Sequence, residues 1–217
     1  MARGFGRLEA AASVALVFFA LFSIDLLLGG PITSADLAQS VWLRERMQPQ
    51  VTQLLIFVTH WHGTEGILAM SALLAVLLYA TGRRRLIPWM LLTVQGGQAL
   101  NVLVKQMFER ARPQWDNPIL TLTTYSFPSG HAVASTVFWG FVCVVAWHWP
   151  ASAHVRREVL AIALLMVGLT SFSRVYLGAH FVSDVLAGIC EGVAWLCACL
   201  LVRRALTMRA GDTPEAR

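Results

Sequence analysis

Charged side chains are scarce in this chain of 217 residues, and their scarcity is the first constraint on its fold. Asp, Glu, Lys and Arg make up 13% of the residues, whereas hydrophobic residues make up 57%. A soluble domain usually carries about 25% charged residues. With a mean hydropathy of +0.61, the composition excludes an ordinary soluble domain and predicts a protein embedded in a lipid bilayer.

Cysteine is sparse too, and the four residues all lie in strongly apolar stretches: Cys143, Cys190, Cys197 and Cys199. A thiol in such a stretch usually behaves as a small buried hydrophobic group. The sequence therefore predicts neither a disulfide framework nor a cysteine metal site. Internal repeats and low-complexity tracts are not evident either, so the chain is predicted to form a single domain over residues 1–217.

Six apolar runs approach the roughly 20 residues that a helix needs to cross the hydrocarbon core. They cover residues 9–29, 64–82, 86–105, 131–149, 158–177 and 182–202. The first run follows Arg3 and Arg7 like a signal peptide, but its apolar stretch is too long and no small-residue cleavage site stands out. We therefore predict an all-α fold, a polytopic six-helix transmembrane bundle whose first helix is not cleaved.

The basic residues are scattered at the ends of the predicted spans. They form no stripe with interleaved aromatic side chains, so the net charge of +5 does not indicate a nucleic-acid partner. If six helices alternate in direction, ten arginines fall on one side: Arg3, Arg7, Arg83, Arg84, Arg85, Arg156, Arg157, Arg203, Arg204 and Arg209. The positive-inside rule assigns that side to the cytoplasm, which makes both termini cytoplasmic.

The opposite side has two longer connecting segments, 30–63 and 106–130, and longer connections are where function tends to lie. Its basic residues are few: Arg44, Arg46, Lys105, Arg110, Arg112 and Arg174. Because Lys105 is the only lysine in the chain, a generic solvating role for it is disfavoured. The composition of segment 30–63 is compatible with an amphipathic helix that lies along the membrane interface.

A cation, a histidine and a carboxylate lie close together between the last two apolar runs, at Arg174, His180 and Asp184. On a helix that begins near residue 180, Asp184 follows His180 by one turn and can accept its Nδ1 proton. The Nε2 atom is then free to act as a nucleophile at phosphorus. Arg174 would face another direction on an unbroken helix, so we expect a break at Gly178.

Pro128-Ser129-Gly130-His131 leads into the fourth apolar run. Ser129 has the character of an N-cap, and Gly130 allows a ligand to approach the backbone closely. The N-terminus of a helix favours anions. His131, one residue on, is placed to donate a proton to a departing alkoxide.

Lys105 and Arg112 supply two further cations and are seven residues apart, although Pro113 biases Arg112 toward an extended conformation. Together with Arg174, they would place three cations around one anion. The guanidinium fork of arginine matches the oxygens of a phosphate.

The three segments resemble the tripartite signature of the type 2 phosphatidic acid phosphatases, the PAP2 superfamily. They read Lys-x6-Arg-Pro at 105–113, Pro-Ser-Gly-His at 128–131 and Ser-Arg-x5-His-x3-Asp at 173–184. The resemblance covers residues 64–202, the predicted core. Residues 1–63 would then form the first transmembrane helix and an outer interfacial segment.

The resemblance implies a metal-independent phosphatase that uses no cofactor and forms a phosphohistidine. His180 matches the nucleophile, Asp184 its orienting partner and His131 the acid and base. The residues that match the phosphate-binding positions are Lys105, Arg112, Ser129, Gly130 and Arg174.

The charge bias places all three segments on the non-cytoplasmic side, so the enzyme is expected to act at the outer, periplasmic face of its membrane. The resemblance implies that this is the bacterial inner (cytoplasmic) membrane. The enzyme's partners would be the surrounding membrane lipids and a lipid mono- or diphosphate that loses its terminal phosphate. Undecaprenyl diphosphate, phosphatidylglycerophosphate and phosphatidic acid are the candidate substrates.

Two other functions remain open at this point. A lipid phosphotransferase would use the same phosphohistidine but pass the phosphate to an acceptor lipid or sugar. A non-catalytic membrane scaffold or transporter would keep the architecture alone, although the inverted repeats of many transporters are not apparent. His60 and His62 could contact a metal ion, but no third ligand is evident. Asp25 and Glu191 are expected either to tune the site or to have structural partners.

Overall fold

Helices make up the fold. The structure, a computed structural model, describes residues 2–209, with side chains for residues 6–208. Within these residues there is no strand, and the eight α-helices are α1 (Ala2–Leu28), α2 (Pro31–Arg44), α3 (Pro49–Trp61), α4 (Thr64–Ala80), α5 (Ile87–Phe108), α6 (Gly130–His148), α7 (Ala153–Tyr176) and α8 (Val182–Arg209). Proline stands in the first turn of α2, α3 and α5, where its missing N–H would have no helical acceptor anyway.

Each predicted apolar run corresponds to one of these helices, but fewer than six helices have the length and hydropathy of a membrane span. Among the described helices, α1, α6, α7 and α8 are each long and apolar enough to cross a membrane. The pair α3 and α4, bent by 57°, qualifies only as one broken span. The described residues thus give four spans, or up to five, and six remains a prediction.

The helices α4 and α5 account for the difference between the six predicted spans and the four helices that qualify alone. α4 has 17 residues, fewer than the roughly 20 that span a hydrocarbon core. α5 has 22 residues but carries Gln95, Gln98, Asn101 and Lys105 along its length. The prediction that both chain termini are cytoplasmic concerns residues 1 and 210–217, which lie outside the described part.

α6 is the central helix, and it packs against α5, α7 and α8. Val133, Val137 and Phe141 are buried in the main hydrophobic cluster with residues of α4 and α5. On the α8 side, a Cβ at Gly188 would lie 2.7 Å from the carbonyl oxygen of Ser129, and one at Gly192 would lie 2.8 Å from Thr136. Glycine at these two positions therefore lets α8 approach the start of α6 closely.

The outer segment 30–63 contains two helices rather than a single one. Gly30 precedes α2, and Gln48 precedes α3 in an extended conformation. Asp36 of α2 and Leu55 and Thr59 of α3 are buried, because both helices pack on α7 and α2 also packs on α8. The segment therefore contributes to the interior at the end of the bundle that carries the three motifs.

The predicted break at Gly178 occurs between α7 and α8. Gly178 has φ +70°, a left-handed conformation that favours glycine. A Cβ there would also lie 2.5 Å from Nε1 of Trp115, and this indole donates to the carbonyl oxygen of Gly178 at 3.0 Å. α8 begins at Val182, two residues later than expected.

Candidate active site

The turn between α7 and α8 places His180 beside Asp184. The imidazole is 1% exposed, and its Nδ1 lies 3.4 Å from Oδ2 of Asp184. The same oxygen accepts a hydrogen bond of 2.9 Å from the backbone N–H of Phe181. Asp184 is the third residue of α8, so its carboxylate reaches back to the helix start as the acidic member of a capping box does.

Arg112 determines which nitrogen of His180 carries the proton. Its Nη1 lies 3.1 Å from Nε2 of His180, and a guanidinium can only donate. Nε2 therefore accepts, and the proton lies on Nδ1, which is 3.4 Å from both Asp184 Oδ2 and Ser126 Oγ. The hydroxyl of Ser126 in turn donates to Asp184. The lone pair of Nε2 consequently points toward a cation.

Backbone carbonyl groups hold the two cations of the first motif. Lys105 Nζ donates to the carbonyl oxygens of Tyr125 at 2.8 Å and Ser126 at 3.2 Å. Arg112 Nη1 donates to the carbonyl oxygen of Ala179 at 2.6 Å. Because these acceptors carry no formal charge, both side chains bring a positive charge to the site.

The second motif forms the beginning of α6. Ser129 occupies the N-cap position but makes no side-chain cap, and its buried Oγ lacks a hydrogen-bond partner among the described residues. Its backbone N–H donates to the carbonyl oxygen of Asp184 at 2.9 Å, which links the second motif to the third. A Cβ on Gly130 would lie 3.0 Å from Oδ1 of Asn101, so α6 begins close against α5.

Arg174 is the most deeply buried cation of the site, at 2% exposed. Its Nη1 donates to Oγ1 of Thr59 on α3 at 2.7 Å, whereas its Nε has no partner in the described structure. Buried donors are normally satisfied. Arg174 Nε and Ser129 Oγ are therefore two groups that an anion in this site would satisfy.

His131 lies one residue inside α6 and faces the turn before α4. A Cβ at Gly63 would lie 3.4 Å from its Nε2. Arg112, Arg174 and His180 are all close enough to act on it electrostatically. The structure therefore brings together the predicted residues of all three motifs.

Positive charge and burial keep His180 neutral. Burial disfavours the imidazolium, and Arg112, Arg174 and Lys105 repel it, so the pKa of His180 lies well below its usual value of 6.5. Burial also lowers the pKa of Arg112, an effect that Asp184 opposes. A neutral imidazole is the form that can attack an electrophile.

Sequence reasoning missed Arg110 and Asp36, which contact Asp184 and its neighbour Ser183. Arg110 pairs with Asp184 through Nη1 at 2.6 Å and with Asp36 through Nη2 at 2.8 Å, and Ser183 Oγ accepts from Arg110 at 2.7 Å. Arg110 gave one usable signal, since it is among the few basic residues on the outer side. Asp36 gave none, because it is separated from Arg110 by 74 positions in the chain.

His62 has structural hydrogen bonds at both ring nitrogens. Nδ1 donates to the carbonyl oxygen of Val58 at 2.9 Å, and Nε2 accepts from the indole of Trp139 at 3.0 Å. Neither nitrogen is available for the metal site considered for His60 and His62.

Asp25 and Glu191 also have structural partners. Asp25 accepts from the backbone N–H of Thr33 at 2.7 Å and of Ile32 at 3.2 Å, so it caps the start of α2. Glu191 accepts from Nδ2 of Asn101 at 2.9 Å. A Cβ on Gly130 would lie against Asn101, so Glu191 and Asn101 lie behind the start of α6.

A cavity of about 1200 Å³ lies at the opposite end of the bundle. Its lining includes Arg83, Arg84, Arg85, Arg203 and Arg204 but no residue of the three motifs. The arginine-rich end and the end that carries the histidines are therefore separate.

Comparison with known sequences gives a family and relatives. The pattern of the PAP2 superfamily matches residues 87–208. Phosphatidylglycerophosphatase B of Bacillus subtilis is 29% identical over 181 residues, which cover 83% of this chain and 89% of the relative. Decaprenylphosphoryl-5-phosphoribose phosphatase of Mycobacterium tuberculosis is 31% identical over 99 residues, 43% of this chain and 48% of the relative.

Two crystal structures resemble this one. The first, a transmembrane PAP2 type phosphatidylglycerolphosphate phosphatase from Bacillus subtilis, has a TM-score of 0.82 at 25% identity and covers 90% of this chain and 96% of that chain. Aquifex aeolicus LpxE has a TM-score of 0.59 at 19% identity over 77% of this chain and 94% of that chain. The second likeness concerns the fold alone.

Proposed function

Because the chain belongs to the PAP2 superfamily, in its membrane lipid phosphatase branch, we propose that it hydrolyses the terminal phosphate of a lipid mono- or diphosphate through a phosphohistidine. One observation carries the mechanism. The Nε2 atom of His180 accepts a hydrogen bond from Arg112, so an unprotonated nitrogen and a phosphate-binding cation face the same point.

In the first step, Nε2 of His180 attacks phosphorus and the bond between phosphorus and the lipid oxygen breaks. His131 donates a proton to the departing oxygen, a role worth about 10²–10⁴-fold in rate. The imidazole becomes positively charged as the phosphorus–nitrogen bond forms, and Asp184, bound to the Nδ1 proton, stabilises that charge.

In the second step, His131 takes a proton from water, and the water oxygen attacks the phosphohistidine. The phosphorus–nitrogen bond breaks, inorganic phosphate leaves and His180 returns to its neutral form. Lys105, Arg112, Arg174, the Ser129 hydroxyl and the backbone N–H of Gly130 hold the phosphate oxygens in both steps.

The mechanism uses neither a metal ion nor a cofactor. Three cations supply the positive charge that Mg²⁺ provides in other phosphoryl-transfer sites. Activity is therefore expected to survive an excess of chelator.

The site faces the periplasm in the arrangement that we propose, with six transmembrane helices in the inner membrane and both termini in the cytoplasm. The cluster of arginines at the opposite end supports it, because such residues favour the cytoplasmic side. Among the candidate lipids, phosphatidylglycerophosphate comes first, since it is the substrate that the name of the Bacillus subtilis relative gives. Undecaprenyl diphosphate and phosphatidic acid follow.

The test is phosphate release by detergent-purified protein in the presence of chelator. The panel comprises phosphatidylglycerophosphate, undecaprenyl diphosphate, phosphatidic acid and a water-soluble phosphomonoester, with His180→Ala as the matched variant. We expect release from at least one lipid by the wild type and loss of release in His180→Ala, with cooperative thermal unfolding as the proof that the variant is folded. Full activity of His180→Ala would exclude the mechanism, and phosphate on an added acceptor lipid would indicate transfer instead of hydrolysis.

A further inference from the structure

Three buried charges form a row that leads from the outer helix α2 to Asp184. Asp36 Oδ2 lies 2.8 Å from Arg110 Nη2, and Arg110 Nη1 lies 2.6 Å from Asp184 Oδ1. The side chains of Asp36, Arg110 and Asp184 are 1%, 9% and 0% exposed. Charges so deeply buried need partners with good geometry, and each carboxylate here finds one in the same guanidinium.

Asp36 is bound from two sides. Besides Arg110, the first turn of α8 provides its donors, since Ser183 donates to Asp36 through its backbone N–H at 3.1 Å and through its hydroxyl. Asp36 therefore holds both Arg110 and the helix turn from which Asp184 projects.

The two oxygens of Asp184 have different partners. Oδ1 pairs with Arg110, whereas Oδ2 faces Nδ1 of His180 and accepts from Ser126 and from the backbone of Phe181. Rotation of the carboxylate would break the contact with Arg110. The guanidinium is itself held over the ring of Phe181, 4.2 Å from its centroid, so the orientation of Asp184 depends on where Arg110 is held.

Charge balance gives Asp36 a second effect. A cation that contacted Asp184 alone would offset the negative charge by which Asp184 stabilises a positively charged His180. With Asp36 on its other arm, Arg110 is shared between two carboxylates, and the row keeps a net charge of −1. Asp36 thus restores the attraction that Arg110 would otherwise remove.

From this geometry we infer that Asp36 and Arg110 are positioning residues, which fix Asp184 and set the charge that it presents to the nucleophile His180. The inference rests on the proposed function and extends it to a helix, α2, that lies outside the matched range 87–208. Neither residue belongs to the three motifs that supply the proposed phosphate ligands, and the guanidinium of Arg110 is already bound to Asp36, Ser183 and Asp184.

The decisive variants are Asp36→Asn and Arg110→Gln, assayed on the preferred lipid over a range of pH. Each is expected to lower kcat at least tenfold with KM within about twofold, because both act on the chemical step and not on binding. The acid limb of kcat/KM should shift in opposite directions. Loss of the Asp36 charge lowers the pKa of His180 and moves the limb to lower pH, whereas loss of the Arg110 charge moves it to higher pH.

The limb reports His180 among the charged groups that face it from every neighbouring element: Asp184 of α8, Lys105 of α5, Arg112 of the following loop, Arg174 of α7 and His131 of α6. These groups and the ionisation of the substrate are the same in all the variants. A difference in the acid limb between variants is therefore caused by the change in the row of Asp36, Arg110 and Asp184.

Asp25→Asn is the matched control, because it removes another carboxylate that anchors α2. Asp25 makes no hydrogen bond to the row, and the electrostatic effect of Arg110 on it is the weakest among its interactions. This variant is expected to lower the unfolding temperature and to leave kcat per folded molecule and the acid limb unchanged. If Asp36→Asn also lowered only the unfolding temperature and left kcat and the acid limb unchanged, Asp36 would have a purely structural role and the inference would be overturned.

Arg110→Lys keeps the experiment decisive if a charge-removing variant does not fold. Lysine retains the charge but has no fork to bridge two carboxylates, so kcat should fall while the acid limb stays in place. Wild-type kcat in Arg110→Lys would overturn the inference. If the wild type releases phosphate and His180→Ala does not, the proposed function holds even where the inference about Asp36 and Arg110 fails. No release by the wild type overturns both the proposed function and the inference.

Discussion

His180 combines nearly complete burial with three cations in its surroundings. Both features oppose its protonation, and they make the lone pair of Nε2 available at a pH where an ordinary histidine would carry two protons. The sequence showed which residue this is, because Asp184 follows it by one helical turn. The same spacing predicted a proton on Nδ1. The sequence did not show that Arg112, 68 positions away in the chain, supports this tautomer by donating to Nε2.

A pH profile tests the neutral state of His180. Since its pKa is lowered by burial and by Arg112, kcat/KM should keep its plateau below pH 6.5. In Arg112→Gln the removal of a repelling charge should raise the acid limb toward higher pH. A limb that stays in place would contradict the electrostatic explanation.

The same shift predicts a loss of stability in acid. An unfolded chain binds a proton at His180 near pH 6.5, whereas the folded chain does so only at lower pH, so the unfolded state binds more protons as the pH falls. The unfolding temperature should therefore decrease below about pH 6.5. His180→Ala, measured over the same range in the same detergent, should lose part of this pH dependence.

The role proposed for His131 predicts a dependence on the leaving group. His131→Asn should lower kcat for an alkyl phosphate by about 10²–10⁴-fold, because an alkoxide needs a proton to depart. For an aryl phosphate, whose phenolate leaves without one, the loss should be much smaller. Equal losses on the two substrates would argue against proton donation.

At the scale of elements, the turn between α7 and α8 fixes the distance between Arg174 and His180. Gly178→Ala should destabilise the protein by at least about 1–2 kcal/mol, since φ is +70° and a left-handed conformation costs that much for a residue with a Cβ. The added methyl group would also displace Trp115. Thermal unfolding and activity per folded molecule should both fall.

Gly168→Ala is the matched control for that substitution. Gly168 lies within α7, and a Cβ there would meet nothing within 4 Å. Alanine in a helix interior is favoured over glycine by about 0.5–1 kcal/mol, so this variant should unfold at the same temperature or higher with unchanged activity. If both variants lost similar stability and activity, the conformation of the turn at Gly178 would not be the cause of the loss.

Elements were predictable where the chain is uniformly apolar or punctuated by glycine and proline. The six apolar runs became helices, and the break fell at Gly178. Segment 30–63 was harder because it mixes polar and apolar residues, and its two helices bury Asp36 and Thr59 through contacts with residues 74 and 115 positions away. Such pairings leave no local pattern in a single sequence.

For the molecule as a whole, the arginine-rich cavity and the histidines lie at opposite ends of the bundle. This asymmetry predicts the orientation in the membrane. In spheroplasts, Gln50→Cys should react with a membrane-impermeant maleimide, whereas His154→Cys should react only after permeabilisation. The cysteine-bearing parent protein provides the background, and the reverse pattern would invert the proposed topology.

The number of spans could not be derived from sequence or from helix length, for a physical reason. A helix that contributes side chains to a buried polar site, as α5 does with Asn101 and Lys105, must give up hydropathy to do so. The polar residues that identify the site therefore also lower the hydropathy by which a span is recognised.

The single lysine, Lys105, provides one specific cleavage site between two groups of histidines. A protease that cleaves after lysine would divide the denatured chain once, after Lys105, into residues 1–105 and 106–217. His60 and His62 would remain in the first fragment, and the second would contain the other four histidines, His131, His148, His154 and His180. A radiolabelled phosphate trapped on a histidine during turnover would migrate with one fragment or the other. The proposed phosphohistidine at His180 predicts label on the band of residues 106–217 alone.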